Sequence, residues 1–242
     1  SGENPHNLRI VEGILKGVKR INELVENLLD LSRIDYRTLE ITPEPIRIKD
    51  LIVNVRSGAD EDLKLRNIQF HIDPSIGRLP IVDGDLVGLR KVFEHLINNG
   101  IKYTPDGGQI QVKGRSWMGG APQLDWPDDG IQIQVIDTGI GIDPADQELV
   151  FQKFFQIGEV DLHSTSKVGF RGGGPGLGLA IVRGIVTAHS GLVWAESEGQ
   201  NLETYPGTTM NIVLPRRHKW QARLTNDYQF DDSPLPFMES QY

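Results

Sequence analysis

Apolar side chains in the N-terminal part of the chain recur at alternating spacings of three and four residues. This alternation is a heptad seam and predicts a long α-helix. Charged residues fill the remaining faces, and further leucines widen the stripe. Such a helix either packs with other helices in a bundle or docks on its own domain. We favour the bundle because the seam is regular. The seam comprises Val11, Ile14, Val18, Ile21, Val25 and Leu28, with Leu15, Leu24 and Leu29 beside it.

The pattern changes where Pro43 and Pro45 mark a boundary, and ITPEPIRI predicts a linker that leads into a strand. Asp50 is a predicted N-cap for a helix over LIVNVRSGADEDLKLR, and the alternating IQFHID predicts a strand. The run VDGDLVGLRKVFEHLINNGIKYT predicts a second helix that ends before Pro105. PDGG, directly after it, predicts a turn.

The second half of the chain continues with strands and short helices. QIQVKGRS and IQIQVID predict two strands, joined by WMGGAPQLDWPDDG as a long hairpin loop. A short helix near PADQELVFQKF, a helix from Leu177 to His189, and strands LVWAES and TTMNIVLP follow. We therefore predict an α+β fold: a two-layer α/β sandwich with a mixed sheet and helices on one face. The long, coiled-coil-like N-terminal helix precedes it.

Composition narrows the class of protein. With 242 residues, of which 38% are hydrophobic, the chain can bury a sizeable core. A net charge of −8 argues against general affinity for nucleic acid or anionic lipid. The absence of cysteine excludes disulfides and thiolate metal sites. No signal peptide or apolar run of about 20 residues is present. We expect a cytoplasmic piece, and a membrane-anchored parent chain is compatible with it.

The stretch EHLINNGIKYT places polar residues in an apolar helix. At about 100° per residue, His95, Asn99 and Lys102 fall within an arc of roughly 60°. The opposite side is apolar and can face the core, so the polar trio is predicted to look outward. An amide oxygen suits Mg²⁺, and an ammonium one turn away suits phosphate. An ordinary solvated helix face is the alternative. The apolar side comprises Leu89, Val92, Phe93, Leu96 and Ile97.

Two glycine-rich stretches complete the candidate chemistry. In DTGIGI, Asp137 follows an apolar strand, and the glycines let the backbone approach a flat ligand closely. The Asp137 carboxylate can accept a hydrogen bond from an amino group of that ligand. A plain tight turn is the alternative. GFRGGGPGLGLAIV opens a helix, whose N-terminal N–H groups form an anion site. It fits neither a Rossmann fingerprint nor a P-loop, and a mobile surface loop is the alternative.

Together, these stretches resemble the ATP-binding domain of sensor histidine kinases, which belongs to the gyrase, Hsp90 and MutL ATPase superfamily. The order is an Asn-containing helix, DTGIGI, FQKFF, GGGPGLGLAIV and GTTMNIVLP, and the likeness covers about residues 44–215. LLDLSRID resembles the second helix of the kinases' dimerisation domain. The resemblance implies a partial dimerisation helix over 1–37, an ATP-binding domain over 38–216 and a tail over 217–242.

The resemblance also implies roles for individual residues. Asn99 matches the Mg²⁺ ligand, Lys102 a phosphate contact, and Tyr103 a residue that flanks the nucleotide. Asp137 matches the carboxylate that binds the adenine amino group, and Thr208 lines the adenine end.

Further positions match the pocket walls and the lid of the family. Gly139 and Gly141 shape the pocket, while Gly174, Gly176, Leu177 and Gly178 lie at the lid hinge, where the helix N-terminus faces the phosphates. Phe151, Phe154 and Phe155 match the aromatic motif beneath the lid. Lys167 and Arg171 lie in the lid, within reach of the γ-phosphate.

The chain departs from the family pattern at two places. His95 stands where Asn is common; it hydrogen-bonds at the pocket edge, acts as a base toward water, or reaches the metal or phosphate. The phosphoacceptor motif is absent, and His6 does not fit it. We therefore expect the acceptor helix to precede residue 1 in a parent chain. The tail over 217–242 is predicted to be flexible or loosely docked, and docking of its aromatics on this domain or a partner is the alternative.

The resemblance implies the catalytic fragment of a sensor histidine kinase. It would bind Mg-ATP and donate the γ-phosphoryl group to a histidine, for relay to an Asp of a response regulator receiver domain. The resemblance also implies a homodimer through the N-terminal helix. We expect no nucleic acid partner. Two alternatives stay open: a non-catalytic scaffold that responds to nucleotide, and an ATP-hydrolysing enzyme with His95 as base.

Overall fold

The structure is a computed structural model that describes residues 5–118, 129–157, 170 and 175–216. Predictions for most of the loop after WM, for Lys167, Arg171 and Gly174, and for the tail over 217–242 lie outside these residues.

The N-terminal helix α1 spans Pro5–Asp35 and confirms the predicted helix. The six seam residues are each between 50% and 61% exposed. The C-terminal end behaves differently, because Leu31 is buried and the Ile34 side chain lies against Gly184. The end of α1 therefore docks on the domain, while the seam is uncovered by the described residues.

The rest of the described chain folds into alternating strands and helices. The strands are β1 (Glu44–Ile46), β2 (Gln69–Ile72), β3 (Val82–Gly84), β4 (Gln109–Trp117), β5 (Gly130–Asp137), β6 (Leu192–Glu196) and β7 (Thr208–Pro215). The helices are α2 (Ile48–Gly58), α3 (Asp60–Leu65), α4 (Leu86–Tyr103) and α5 (Gly178–Ala188), with 3₁₀ turns at Pro74–Arg78 and Leu149–Phe151.

The main sheet has the strand order β2-β4-β5-β7-β6. β2 runs parallel to β4, and the other neighbours are antiparallel, so the predicted mixed sheet is confirmed. β1 and β3 form a separate antiparallel pair. The predicted hairpin between β4 and β5 is also present. Helices and sheet share one core, in which each fully buried aliphatic side chain contributes about 1.5–3 kcal/mol.

That core confirms the apolar side predicted for α4. Leu89, Val92, Phe93, Leu96 and Ile97 are all at most 1% exposed. They pack with apolar side chains of β4, β5 and β7, among them Ile110, Val112, Ile131, Ile133 and Ile212. Gly100 lies on the same side, where a Cβ would come within 3.0 Å of Ile110 Cδ1. The opposite side of α4 is therefore the only one that can carry the polar stripe.

Several predicted boundaries were wrong for local reasons. Asp50 is not an N-cap: α2 begins at Ile48 after the extended Arg47, and Asp50 lies in its first turn, where the helix dipole favours a carboxylate. The predicted single helix breaks at Ala59, which leaves helical geometry after Gly58 and divides α2 from α3.

One further boundary was also wrong. Val82–Gly84 is a strand because it pairs with β1, and α4 starts only after Asp85, whose side chain accepts from Gly88 N at 2.7 Å. The short helix predicted near PADQELVFQKF is a single 3₁₀ turn, Leu149–Phe151, flanked by turns. In the described part of the chain, none of the helices combines the length and apolar content needed to cross a membrane.

Candidate functional site

Helix α4 holds the polar stripe in place. Its apolar side is fixed in the core, which leaves His95, Asn99 and Lys102 partly exposed on the other side. His95 was predicted to look outward, but the start of α5 covers it: a Cβ on Gly178 would lie 3.1 Å from His95 Nδ1. The stripe therefore points at the helix that follows the glycine-rich segment.

Burial sets the charge state of His95. It lowers the pKa of His95 to about 4, against the opposing effect of Asp30 and with a smaller contribution from Lys91. The imidazole is therefore neutral at neutral pH. A neutral ring can donate through one nitrogen and accept through the other.

Asp137 lies at the end of β5, paired with Thr208 at the start of β7. Its Oδ1 accepts hydrogen bonds from Gly139 N at 2.8 Å and from Thr208 N at 3.3 Å. Oδ2 receives no hydrogen bond from the described residues. Burial raises the pKa of Asp137 to about 7, and the two backbone N–H groups oppose the rise. One carboxylate oxygen is thus oriented by the backbone while the other is available to an amino group.

The glycines of DTGIGI allow close backbone contacts. A Cβ on Gly139 would lie 2.6 Å from Tyr103 O, and Ile140 N donates to the same carbonyl at 3.2 Å. Gly141 has a φ of 76°, a backbone conformation that residues with a side chain rarely adopt, and it lies against Gly199 O. These contacts join the end of α4, with Tyr103, to the strand end with Asp137.

An open cleft lies beside this carboxylate. Its volume is about 460 Å³, and its lining includes Asp137, Gly207, Thr208, Ser197 and Glu198. Gly207, with a φ of 80°, donates its N–H to Gly139 O at 2.9 Å. The residues predicted at the adenine end therefore surround one opening.

The aromatic motif contacts the residues before α5. Phe154 N donates to Gly176 O at 2.9 Å, and a Cβ on Gly176 would lie 2.7 Å from Phe155 O. Phe151 is buried, whereas Phe154 is 65% exposed. The aromatic motif therefore lies directly against Gly176.

The start of α5 offers backbone N–H groups to an anion. Leu177 makes no side-chain cap, and among the described residues no side chain binds the first N–H groups of the helix. The Leu177 side chain is 1% exposed and belongs to the core. If Leu177 contacts a nucleotide, it does so through its backbone.

Lys102 and Asn99 occupy the next positions of the stripe. The Lys102 ammonium lies 4.6 Å from the centre of the Tyr103 ring, a favourable cation–π distance. Within the described residues, no group of three or more His, Cys, Asp or Glu side chains forms a metal site.

Sequence reasoning missed Arg66. This residue follows α3 and is buried, and its guanidinium donates to Thr104 O at 2.8 Å and to Ile101 O at 3.1 Å, with Asp106 as its carboxylate partner. Its partners lie 35 to 40 positions away in the chain. No pattern of spacing along the sequence links such distant groups.

Comparison with known proteins adds independent observations. The family model described as "Histidine kinase-, DNA gyrase B-, and HSP90-like ATPase" matches residues 84–218. The chain is 28% identical over 207 residues to sensor protein DivL of Caulobacter vibrioides, covering 85% of this chain and 23% of DivL. It is 32% identical over 209 residues to sensor histidine kinase WalK of Bacillus subtilis, covering 83% of this chain and 29% of WalK.

A solved structure agrees with these relatives. The mycobacterial sensor histidine kinase MprB superposes with a TM-score of 0.54 at 28% identity, covering 73% of this chain and 99% of that one. The chain thus spans less than a third of the length of DivL and WalK.

Proposed function

The chain belongs to the histidine kinase-, DNA gyrase B- and HSP90-like ATPase family as a histidine kinase ATP-binding domain, and we propose that it binds Mg-ATP and donates the γ-phosphoryl group to a histidine. The carboxylate of Asp137 carries this proposal. Its Oδ1 is held by two backbone N–H groups, which leaves Oδ2 for the adenine amino group.

The proposed nucleotide contacts extend from Asp137 along α4 to α5. Thr208 lines the adenine end, and Tyr103, held beside Gly139, flanks the nucleotide. Lys102 contacts phosphate oxygens. We also propose that the N-terminus of α5 binds the phosphates; its support is that Leu177 makes no side-chain cap, so the first N–H groups can donate to an anion. Lys167 and Arg171 are proposed γ-phosphate contacts on the basis of the family resemblance.

The residues present fit a magnesium ion. Asn99 offers an amide oxygen on the same side of α4 as Lys102, and Mg²⁺ is commonly held by few protein oxygens together with substrate phosphates. We propose Asn99 as its protein ligand. Bound there, the ion neutralises charge on the triphosphate. The chain itself binds the base and orients the phosphates.

The γ-phosphoryl group passes from ATP to a histidine nitrogen on a bundle helix, and the bond to the β-phosphate oxygen breaks to leave ADP. This chain positions the donor and supplies no covalent intermediate. We propose that the acceptor helix belongs to a longer parent protein, which dimerises through α1, and that the phosphoryl group is relayed to an Asp of a response regulator. We propose a dimerisation helix over residues 1–37, an ATP-binding domain over 38–216 and a tail over 217–242. The proposed location is cytoplasmic.

Nucleotide titration tests the proposal. The chain should bind ATP more tightly with Mg²⁺ than without, and Asp137→Asn should weaken ATP binding about 10- to 100-fold, since a hydrogen bond to a charged group is worth about 1.5–3 kcal/mol. Asp143→Asn is the matched control, because Asp143 accepts from Gln200 N in a neighbouring loop. Absence of ATP binding by the unmodified chain would refute the proposal, as would equal binding by Asp137→Asn.

Transfer requires a second experiment. Incubated with radiolabelled ATP, this chain should label a separately supplied histidine-bearing helical bundle from a sensor kinase, and should label itself little. ATP hydrolysis that is abolished by His95→Ala, with no transfer to any histidine, would instead favour the ATP-hydrolysing alternative.

A further inference from the structure

Arg66 holds the end of the helix that carries the proposed phosphate contact. Its side chain is 6% exposed, and its Nη1 and Nη2 reach Ile101 O at 3.1 Å and Thr104 O at 2.8 Å. The last carbonyls of a helix lack partners within the helix and carry partial negative charge. A buried guanidinium satisfies both demands at the C-terminal end of α4.

The two carbonyls bracket Lys102 and Tyr103. Any change in the position of Ile101 O or Thr104 O therefore moves the backbone that carries both proposed nucleotide contacts. Asp106 pairs with the same guanidinium, and Gly107 N donates back to Arg66 O at 3.1 Å. The arrangement fixes the turn after α4 as well as its last residues.

Arg66 also meets an aromatic pair from two distant segments. The Phe170 ring centre lies 6.0 Å from Arg66 Cζ, at cation–π distance. Phe170 and Tyr205 pack edge to face, with their ring centres 6.4 Å apart and an interplanar angle of 67°. Tyr205 lies three residues before Thr208, whose backbone N–H binds Asp137 Oδ1. The aromatic pair is thus tied through a short loop to the base-recognising carboxylate.

We propose that Arg66 is a positioning residue for the nucleotide site, which aligns the end of α4 directly and, through the Phe170–Tyr205 pair, the loop that leads to Thr208 at the adenine end. The inference rests on the proposed ATP binding. Arg66 acts through Tyr103 and the aromatic pair, and it does not touch the nucleotide itself. If Arg66 only capped α4, its replacement would lower the stability of the chain, and its effect on ATP binding would not depend on whether Phe170 is present.

A double-mutant cycle in the full chain separates these roles. Arg66→Lys keeps the charge but loses the planar fork that reaches two carbonyls, so the Kd for ATP should rise roughly tenfold. Phe170→Leu should raise it about threefold with little change in Tm, because the ring is 37% exposed. The double variant should weaken binding two- to threefold less than the product of the single effects, since the coupling cannot exceed the smaller single effect. Arg56→Lys is the matched control, since Arg56 pairs with Asp60 at the surface.

Titration with adenosine identifies the side of the pocket. Because the aromatic pair supports the base side, Phe170→Leu and Tyr205→Leu should each weaken the binding of adenosine and of ATP by the same factor. Both variants keep the Arg66 side chain, so they test the inference even if Arg66→Lys does not fold. Additive effects of Arg66→Lys and Phe170→Leu, or losses confined to ATP, would overturn the inference. Failure of the unmodified chain to bind ATP would instead overturn the proposed function.

Discussion

Asp137 joins two opposing influences on one carboxyl group. Burial raises its pKa to about 7, while N–H donors from Gly139 and Thr208 favour the ionised form. Because the pKa lies near neutral pH, a modest change of pH alters the protonation of this carboxyl group and therefore its hydrogen bonding. Only the ionised form offers Oδ2 as an acceptor without a competing proton.

This balance predicts pH-dependent nucleotide binding. ATP affinity should be nearly constant above about pH 8 and should fall as pH decreases through about 7, approaching tenfold per pH unit, because protonated Asp137 must lose its proton to accept from adenine. Calorimetric titration in buffers of different ionisation enthalpy should show proton release on binding. The pH dependence should vanish in Asp137→Asn; an unchanged profile in that variant would contradict the assignment.

His95 has the opposite pKa shift. Its folded pKa of about 4 lies below the ordinary value of 6.5, so the unfolded chain binds more protons between these values. The free energy of unfolding should therefore decrease as pH falls from about 6.5 to 4, and it should be unaffected by this group above about pH 7. Urea unfolding of the wild type and of His95→Asn at pH 7 and pH 5 measures the difference. Equal pH dependence in both would contradict the burial of a neutral imidazole.

His95→Asn should also retain ATP binding, since Asn is common at this position in the family that the motifs resemble. The outcome decides between the two roles left open for His95. Loss of ATP hydrolysis without loss of binding would favour the base role, and retention of both would favour the pocket-edge role.

At the scale of elements, three contacts anchor the end of α1 on the domain. Asp30 pairs with Lys91 of α4 at 2.5 Å, Asp35 pairs with Lys153 at 2.5 Å, and Ile34 fills the space left by Gly184 of α5. The pairs differ in burial: the Asp30 side chain is 9% exposed, whereas the Asp35 side chain is 43% exposed. The same helix therefore has a tight contact and a solvated one.

The difference in burial between the two ion pairs predicts that their loss lowers the free energy of unfolding by different amounts. Lys91→Ala should lower the free energy of unfolding by about 2 kcal/mol, because it leaves a buried carboxylate without its partner. Lys153→Ala should cost at most about 1 kcal/mol, as is usual for exposed ion pairs. Thermal and urea unfolding would measure both. A larger cost for Lys153→Ala would refute the assignment of the tight contact to Asp30.

At the scale of the whole molecule, the described structure leaves the apolar seam of α1 about half exposed. Apolar surface of this extent along one helix is typical of an interaction face. The proposed occupant is the same helix of a second copy, in a bundle.

The oligomeric state tests that proposal. The chain should self-associate in sedimentation experiments, and Val18→Glu with Ile21→Glu should shift it to monomer, because the charges would face each other across the seam. ATP affinity should be unchanged, since both residues lie outside the pocket. Val53→Glu, at an exposed apolar position of α2, is the matched control. Monomeric behaviour of the unmodified chain at high concentration would argue against the bundle.

Periodicity and motif order determined much of this protein. The 3.6-residue period separates the core side of α4 from its polar stripe, and alternation marks β2, because both depend on local backbone geometry. The motif order also indicated the ATPase family. Boundaries that depend on partners were missed: Val82–Gly84 is a strand only because β1 lies beside it.

Tertiary structure decided what no local pattern encodes. The covering of His95 by Gly178, the orientation of Asp137 by Thr208 and the position of Arg66 at the end of α4 all join groups far apart in the chain. Burial and long-range hydrogen bonds set the pKa values of His95 and Asp137. The sequence supplied the chemical groups, and the packing of distant elements determined their charge, orientation and neighbours.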